Sequence, residues 1–386
     1  MSSEGPASSQ EENGGAFEGV TPLELFFDLV FVFAFTQVTS FLSGHLTWVG
    51  VLQGAALLAA LWWAWVSYSW LTNAVSAEER IPARIVIISA MAALLVTSLA
   101  VPDAFGDDGV LFGLAYFAVR FLQVALYAIA TSDEPETRQA ILRLAPGFLG
   151  GPALLVVAGF LDGLPQGTLW AAALAIDYGV PLVRGVVGFH IRASHFVERH
   201  GLVIILALGE SIVAIGAAGV DLSAGVVLAA VFAIALSAAL WWAYFDYVLL
   251  AAERNLSAAQ GHERARLARD SYSYLHLLMV DGIIFVALGL EETLAHVGDP
   301  LGTIPAVALC GGAALYLLGH NAFRLRDVGS VSVPRLVVAA LSCALITVAV
   351  QAPALVTLAI VAMLLAALAA FETVHAREFR DRLRAH

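Results

Sequence analysis

The sequence predicts an all-α, polytopic integral membrane helix bundle with about twelve transmembrane helices, arranged as a 6+6 parallel repeat. Three observations predict it: apolar runs of spanning length, arginines confined to alternate connections, and a motif of the second run that returns in the eighth. Hydrophobic residues fill 60% of the 386 positions and charged residues 13%. A soluble domain holds nearer half apolar and a quarter charged residues, so lipid is the natural place for the excess.

The apolar runs lie at about 23–42, 48–72, 83–101, 110–131, 141–161, 166–188, 199–220, 223–251, 269–291, 301–319, 334–350 and 352–372. Each is near the ~17–25 helical residues that cross a bilayer. Helix is the expected form because lipid leaves backbone groups no outside partner. Only Gln351 to Pro353 part the last two runs, so eleven spans is the alternative count. The first run is too long for the apolar core of a signal peptide and is expected to stay as a span.

Arginines test this count. Alternate connections carry Arg80 and Arg84, Arg138 and Arg143, Arg192 and Arg199, then Arg254, Arg264, Arg266 and Arg269, then Arg324, Arg326 and Arg335. The C-terminal segment adds Arg377, Arg380, Arg382 and Arg384, and the chain has no lysine. The remaining connections carry no arginine; they hold Asp103, Asp107, Asp108, Asp162, Asp221 and Asp299. By the positive-inside rule the arginine side is cytoplasmic, which places both termini inside the cell membrane. Residues 1–19 are expected to form a disordered cytoplasmic tail and 377–386 a basic cytoplasmic tail.

Residues 57–68 read LLAALWWAWVSY and residues 236–247 read LSAALWWAYFDY. Each segment follows a span that begins with a glutamate, Glu24 or Glu198. The offset is six spans, an even number, so both halves enter the membrane from the same side. The expected units are a first six-helix repeat over 20–190 and a second over 191–376.

Ionisable groups at membrane depth usually face a bundle interior or a water-filled path. Glu24 and Asp28 share a face of the first span, and Glu198 and Glu210 lie on the seventh. Span four carries Tyr116, Arg120, Gln123 and Tyr127 along one stripe, and span six holds Asp177 and Arg184 on one face. Gly179 and Pro181 between them point to a broken helix, a common ion or substrate site. Span eight has Trp242 and Asp246 one turn apart; span nine has Asp270, Tyr274, Asp281 and Glu292 on one stripe and His276 on another face. The plainer reading is that Arg120 and Arg184 pair with Asp177, Glu210 or Asp281 and simply fix the bundle. The sharper one is a proton, cation or substrate pathway, with Glu210 and Asp281 as its first candidates. Trp62, Trp63, Trp241 and Trp242 are too deep for the interfacial belt, so they either pack helices or line an aromatic site for a solute or organic cation.

Several chemistries find no support. His195, Glu198 and His200 lack the zincin spacing, so no metal site is expected. No cofactor-binding or phosphate-cradling loop and no nucleophile elbow appears, so no catalytic residue is assigned. Cys310 and Cys343 lie in apolar runs and read as small buried side chains. The net charge of −12 argues against nucleic acid as a partner and leaves the bilayer and a small solute or cation.

The segment Glu24-Leu-Phe-Phe-Asp28-Leu-Val-Phe-Val32 resembles the start of the bacterial low temperature requirement protein A family. His195 to Gly201, followed by Leu208-Gly209-Glu210, resembles that family's second signature. The resemblance implies a multispanning membrane protein and marks Glu24, Asp28, Glu198 and Glu210 as part of the family pattern; it brings no activity with it. The expected function is a secondary, proton- or cation-coupled transporter. The alternatives are an intramembrane lipid-modifying enzyme using Glu24 and Asp28, and a membrane scaffold for growth in the cold.

Overall fold

Residues 19–75, 80–217, 222–246 and 248–375 are described by a computed structural model, and helices occupy all twelve apolar runs. The expected tails, Asp221, Tyr247 and the last four arginines lie wholly or almost wholly outside the described residues. The helices are α1 Pro22–Gly44, α2 Trp48–Ala74, α3 Ile81–Leu99, α4 Gly109–Ala130, α5 Pro135–Ala158 and α6 Gly163–Arg184. Then follow α7 Ala193–Ala217, α8 Ala224–Phe245, α9 Gly261–Ala295, α10 Thr303–Val328, α11 Val333–Ala349 and α12 Ala354–His375. Ten stretches have the length and apolarity of a membrane span; α6 is not among them, and α11 is an apolar helix of 17 residues. Among the described residues there is no strand, only one isolated bridge between Pro300 and Pro353.

Local chemistry sets the helix ends. Thr21 caps α1 through a capping box: its hydroxyl accepts the Glu24 N–H, and the Glu24 carboxylate accepts the Thr21 N–H at 2.9 Å. Ser223 caps α8, accepting the Val226 N–H at 3.2 Å. Gly329 closes α10 at φ 67°, a left-handed turn that a side chain would strain.

Burial then selects faces. On α1 the inward stripe is Glu24, Phe27, Asp28, Phe31, Ala34, Phe35 and Val38, while Phe26 and Leu29 point outward, 52% and 62% exposed. Large apolar side chains such as Leu52, Val183 and Leu222 cover the outside of the bundle. A contiguous apolar surface of this kind is what lipid covers.

In the first half α1 packs on α2 and α3, α3 on α4, α4 on α5, α5 on α6, and α2 touches α6. In the second half α7 packs on α8 and α9, α9 on α10, α10 on α11, α11 on α12, and α8 packs on α12. The halves meet where α1 and α2 contact α7 and α9. Close approach between α9 and α10 needs glycine: a Cβ on Gly282 would lie 2.7 Å from the Tyr316 backbone nitrogen.

The arginine-bearing connections gather at one end: Arg192 binds the Asn73 carbonyl at 2.7 Å, Arg143 the Val187 carbonyl, and Arg264 the Ile191 carbonyl. The acidic connections meet at the other, where Ala354 N–H donates to Asp299 and Gln166 to Phe105.

Three expectations change. The 251–269 connection is largely helical: a short helix, Val248–Ala258, precedes α9, which starts at Gly261. α6 is continuous through Gly179 and Pro181, so the broken helix is absent. The irregular backbone lies instead in α9, where Ala268–Leu275 is π-helical, and in α10 at Val307–Gly311. Cys310 is buried but Cys343 is exposed on the outer face.

Candidate functional site

The capped start of α1 aims Glu24 and Asp28, one turn apart, at α7. There Arg199 donates to Glu24 Oε1 at 2.9 Å and to Asp28 Oδ1 at 2.6 Å. Its third bond runs to Thr72 Oγ1 of α2 at 3.0 Å, and its guanidinium carbon stands 5.5 Å from the Trp65 ring. Trp65 donates its indole N–H to Asp28 Oδ1 at 2.8 Å. His195, one turn before Arg199, places Nε2 3.0 Å from Glu24 Oε2 and Nδ1 3.1 Å from Asn73 Nδ2. Glu24, Asp28, His195 and Arg199 are each at most 4% exposed. Two carboxylates and one guanidinium leave one negative charge in the cluster. Asp28 Oδ2 and Arg199 Nε have no hydrogen-bond partner.

Deeper along the same two helices, Thr36 of α1 donates to Glu210 Oε2 of α7 at 2.8 Å, and Thr39 lies close by. Glu210 is 2% exposed and has no cationic partner among the described residues. Beyond it Glu291 of α9 stands near Glu210 and Ser43. A second charged pair lies within the first half: Arg120 of α4 is 3.9 Å from Asp177 of α6, and the Tyr116 hydroxyl donates to Asp177 at 3.2 Å. Arg120 also bonds the Ser67 hydroxyl and the Trp63 carbonyl. Asp281 is half-buried near Tyr178, with Oδ1 unpartnered.

His276 belongs to a buried ring cluster. Its Nδ1 meets the Ser271 carbonyl at 2.9 Å, which the π-helical segment presents, and the Tyr244 hydroxyl meets its Nε2 at 2.9 Å. His200 stacks edge-on to His276, with ring centroids 5.3 Å apart.

Several expected site residues lie elsewhere. Arg184 ends α6, exposed, and donates to the Arg143 carbonyl, so it does not meet Asp177. Glu198 is exposed and accepts the Val20 N–H at 3.2 Å. Asp246 forms the C-cap of α8, on the side of the second half. Trp62 and Trp63 are buried, whereas Trp241 and Trp242 are each 42% exposed on the outer face, with Trp242 bonded to Thr373 of α12. The two matched motifs therefore face different surroundings.

Arg199, Arg269 and Arg335, which the sequence assigns to connections, are all buried in helices. Arg335 pairs with Glu372 of α12 at 2.8 Å, and Arg269 with Asp270 at 2.5 Å. The available signal was helical phase: Arg199 follows His195 by one turn, with apolar Phe196 and Val197 between them. Among the described residues no group of three or more His, Cys, Asp or Glu could hold a metal ion.

Among the described residues, long apolar helices, an apolar exterior and ion pairs held between helices define a polytopic α-helical membrane protein. The family model for the bacterial low temperature requirement A protein (LtrA) matches residues 19–370, and the chain belongs to that family. It is also 33% identical over 313 residues to the uncharacterized protein RA0937 of Rhizobium meliloti, covering 77% of this chain and 75% of that one. No solved structure matches the chain.

Proposed function

We propose that this protein is a secondary transporter driven by a proton or cation gradient. One observation carries the reading: α1 and α7, the helices that head the two halves, hold Glu24, Asp28, Glu210, Arg199 and His195 buried between them. Three carboxylates there face a single guanidinium. Buried charges without full compensation at membrane depth mark ion and proton paths more often than scaffolding. Glu210 is the natural exchange site, since its partners are hydroxyls, which serve either protonation state.

The internal repeat supports the same reading. The main helix pairings run in the same order in both halves. The Tyr116 hydroxyl of α4 bonds the Ala60 carbonyl of α2, and the Tyr316 hydroxyl of α10 bonds the Leu240 carbonyl of α8, at nearly matching positions of the repeated motif. Two like halves around a shared charged axis can rock against each other, which is how repeat-built transporters alternate access. The arginine-bearing end is assigned to the cytoplasm by the positive-inside rule. The acid pair proposed for an intramembrane enzyme is engaged by Arg199, His195 and Trp65, which favours the transport reading.

The test uses purified protein in liposomes loaded with a pH-sensitive dye under an imposed pH gradient. Wild type is expected to pass protons and Glu210→Gln to lose that flux while still inserting. Flux that persists in Glu210→Gln removes Glu210 from the path, and no flux from wild type under any added solute ends the proton reading.

A further inference from the structure

The network that Arg199 holds lies toward the arginine-bearing end of α1 and α7. The other half of that interface is built differently. α9 joins it there, and α1 turns hydroxyls toward its two neighbours. Thr36 donates to Glu210 Oε2 at 2.8 Å, and Thr39 lies beside the same carboxylate. Ser43, in the last turn of α1, stands beside Glu291 of α9. Thr36, Thr39 and Ser43 follow one another by three and four residues, so they form a single stripe.

The oxygens along this stripe are short of hydrogens. A hydroxyl has one hydrogen and two lone pairs, and an ionised carboxylate only accepts. Thr39 has two acceptors in reach, the Phe35 carbonyl at 3.2 Å and Glu210. Ser43 likewise has the Ser40 carbonyl at 3.2 Å and Glu291. Each hydroxyl can serve only one of its two acceptors, and the other then faces a lone pair. Among the described residues no arginine pairs with Glu210 or Glu291, and His296 at that end lies 4.0 Å from Glu292 instead. Acceptors gathered without donors call for a positive charge between them, and hard cations take oxygen ligands of these kinds.

Exposure falls along the stripe in the direction of Glu210. Ser43 and Glu291 are partly exposed, whereas Thr39 and Glu210 are 3% and 2% exposed. The connections at this end carry Asp103, Asp107, Asp108, Asp162 and Asp299 and no arginine, so the mouth of the stripe lies in a negative field. Carboxylates at the mouth of a path admit cations and turn anions away.

We propose that this half of the α1–α7–α9 interface is the path by which a small cation, hydronium or an alkali ion, reaches Glu210 from the non-cytoplasmic side, with Glu291 as the charge-selecting residue at its mouth. Ser43 and Thr39 line the way between the two carboxylates. The inference rests on the transport reading and supplies the outer access to its exchange site. Its test reads chemical access and needs no flux.

Cys310→Ala and Cys343→Ser together give a background without thiols. In it Ser43→Cys, Thr39→Cys and Ile212→Cys are treated in intact cells with two membrane-impermeant methanethiosulfonates, one carrying a trimethylammonium and one a sulfonate. Ser43→Cys and Thr39→Cys are expected to react, and faster with the cationic reagent by about tenfold. Ile212→Cys, two residues from Glu210 but on a side chain 52% exposed on the outside of the bundle, should not react. Adding Glu291→Gln should remove most of the preference. Should Thr39→Cys fail to fold, Thr36→Cys serves. A folded Thr39→Cys that stays unreacted overturns the path. Equal rates with the two reagents, or a preference unchanged by Glu291→Gln, overturn the selecting role of Glu291. Sodium chloride that slows Thr39→Cys where choline chloride does not names an alkali ion, and equal rates in the two salts name hydronium; both uphold the path. Access without proton flux upholds the path and removes the proton coupling, whereas proton flux without access overturns the path alone.

Discussion

At the scale of single residues, Arg199 joins three helices through one guanidinium. It holds Glu24 and Asp28 of α1 and Thr72 of α2 from its place on α7. Removing one partner of a buried ion pair strands the other in low dielectric. Arg199→Met is therefore expected to cost about 3–5 kcal/mol, read as a lowered melting temperature in detergent. Adding Glu24→Gln and Asp28→Asn to the same chain should restore part of the loss, because no charge is then left unpaired. A melting temperature unchanged by Arg199→Met would mean the pairing does not stabilise the fold. The carboxylates of this site were legible in the sequence from their one-turn spacing. Their partner was not, because the positive-inside bookkeeping credits an arginine at a helix start to the connection before it.

At the scale of elements, α9 and α10 approach closely enough that the Gly282 Cα packs against backbone. Gly282→Val is expected to destabilise by about 1–3 kcal/mol, since overpacking moves backbone rather than a flexible side chain. Gly209→Ala on α7 meets nothing within 4 Å and should be neutral or slightly stabilising, as alanine is the better helix former. Equal melting losses in both variants would refute the close approach. The π-helical segment of α9 has its own consequence. It turns Ser273 toward α2 and His276 toward α8. An α-helical count along the sequence placed Asp270, Tyr274 and Asp281 on one stripe, but an inserted π turn rotates everything that follows it. Nothing in residue type announces such a turn, because its register comes from the indoles and rings that grip it.

At the scale of the molecule, the arginine-bearing connections share one end and the acidic ones the other. The positive-inside rule predicts that a cysteine placed at Asp299, with Cys310→Ala and Cys343→Ser, reacts with a membrane-impermeant maleimide in intact cells. A cysteine placed at Asp133 should react only after permeabilisation. The opposite labelling would invert the protein and put the Glu24–Arg199 network at the outer end.

The residue order alone determined the apolar helical runs and the segregation of arginine. These depend on hydropathy and on backbone hydrogen bonds made within each segment, so every helix states them separately. Tertiary structure decided which way each helix turns about its axis and whom it meets. The doubled tryptophans show it: Trp62 and Trp63 lie buried against α9 and α6, while Trp241 and Trp242, in the same local motif, face outward beside α12. Rotation about a helix axis is set by neighbours distant in sequence, and no count along one segment contains them.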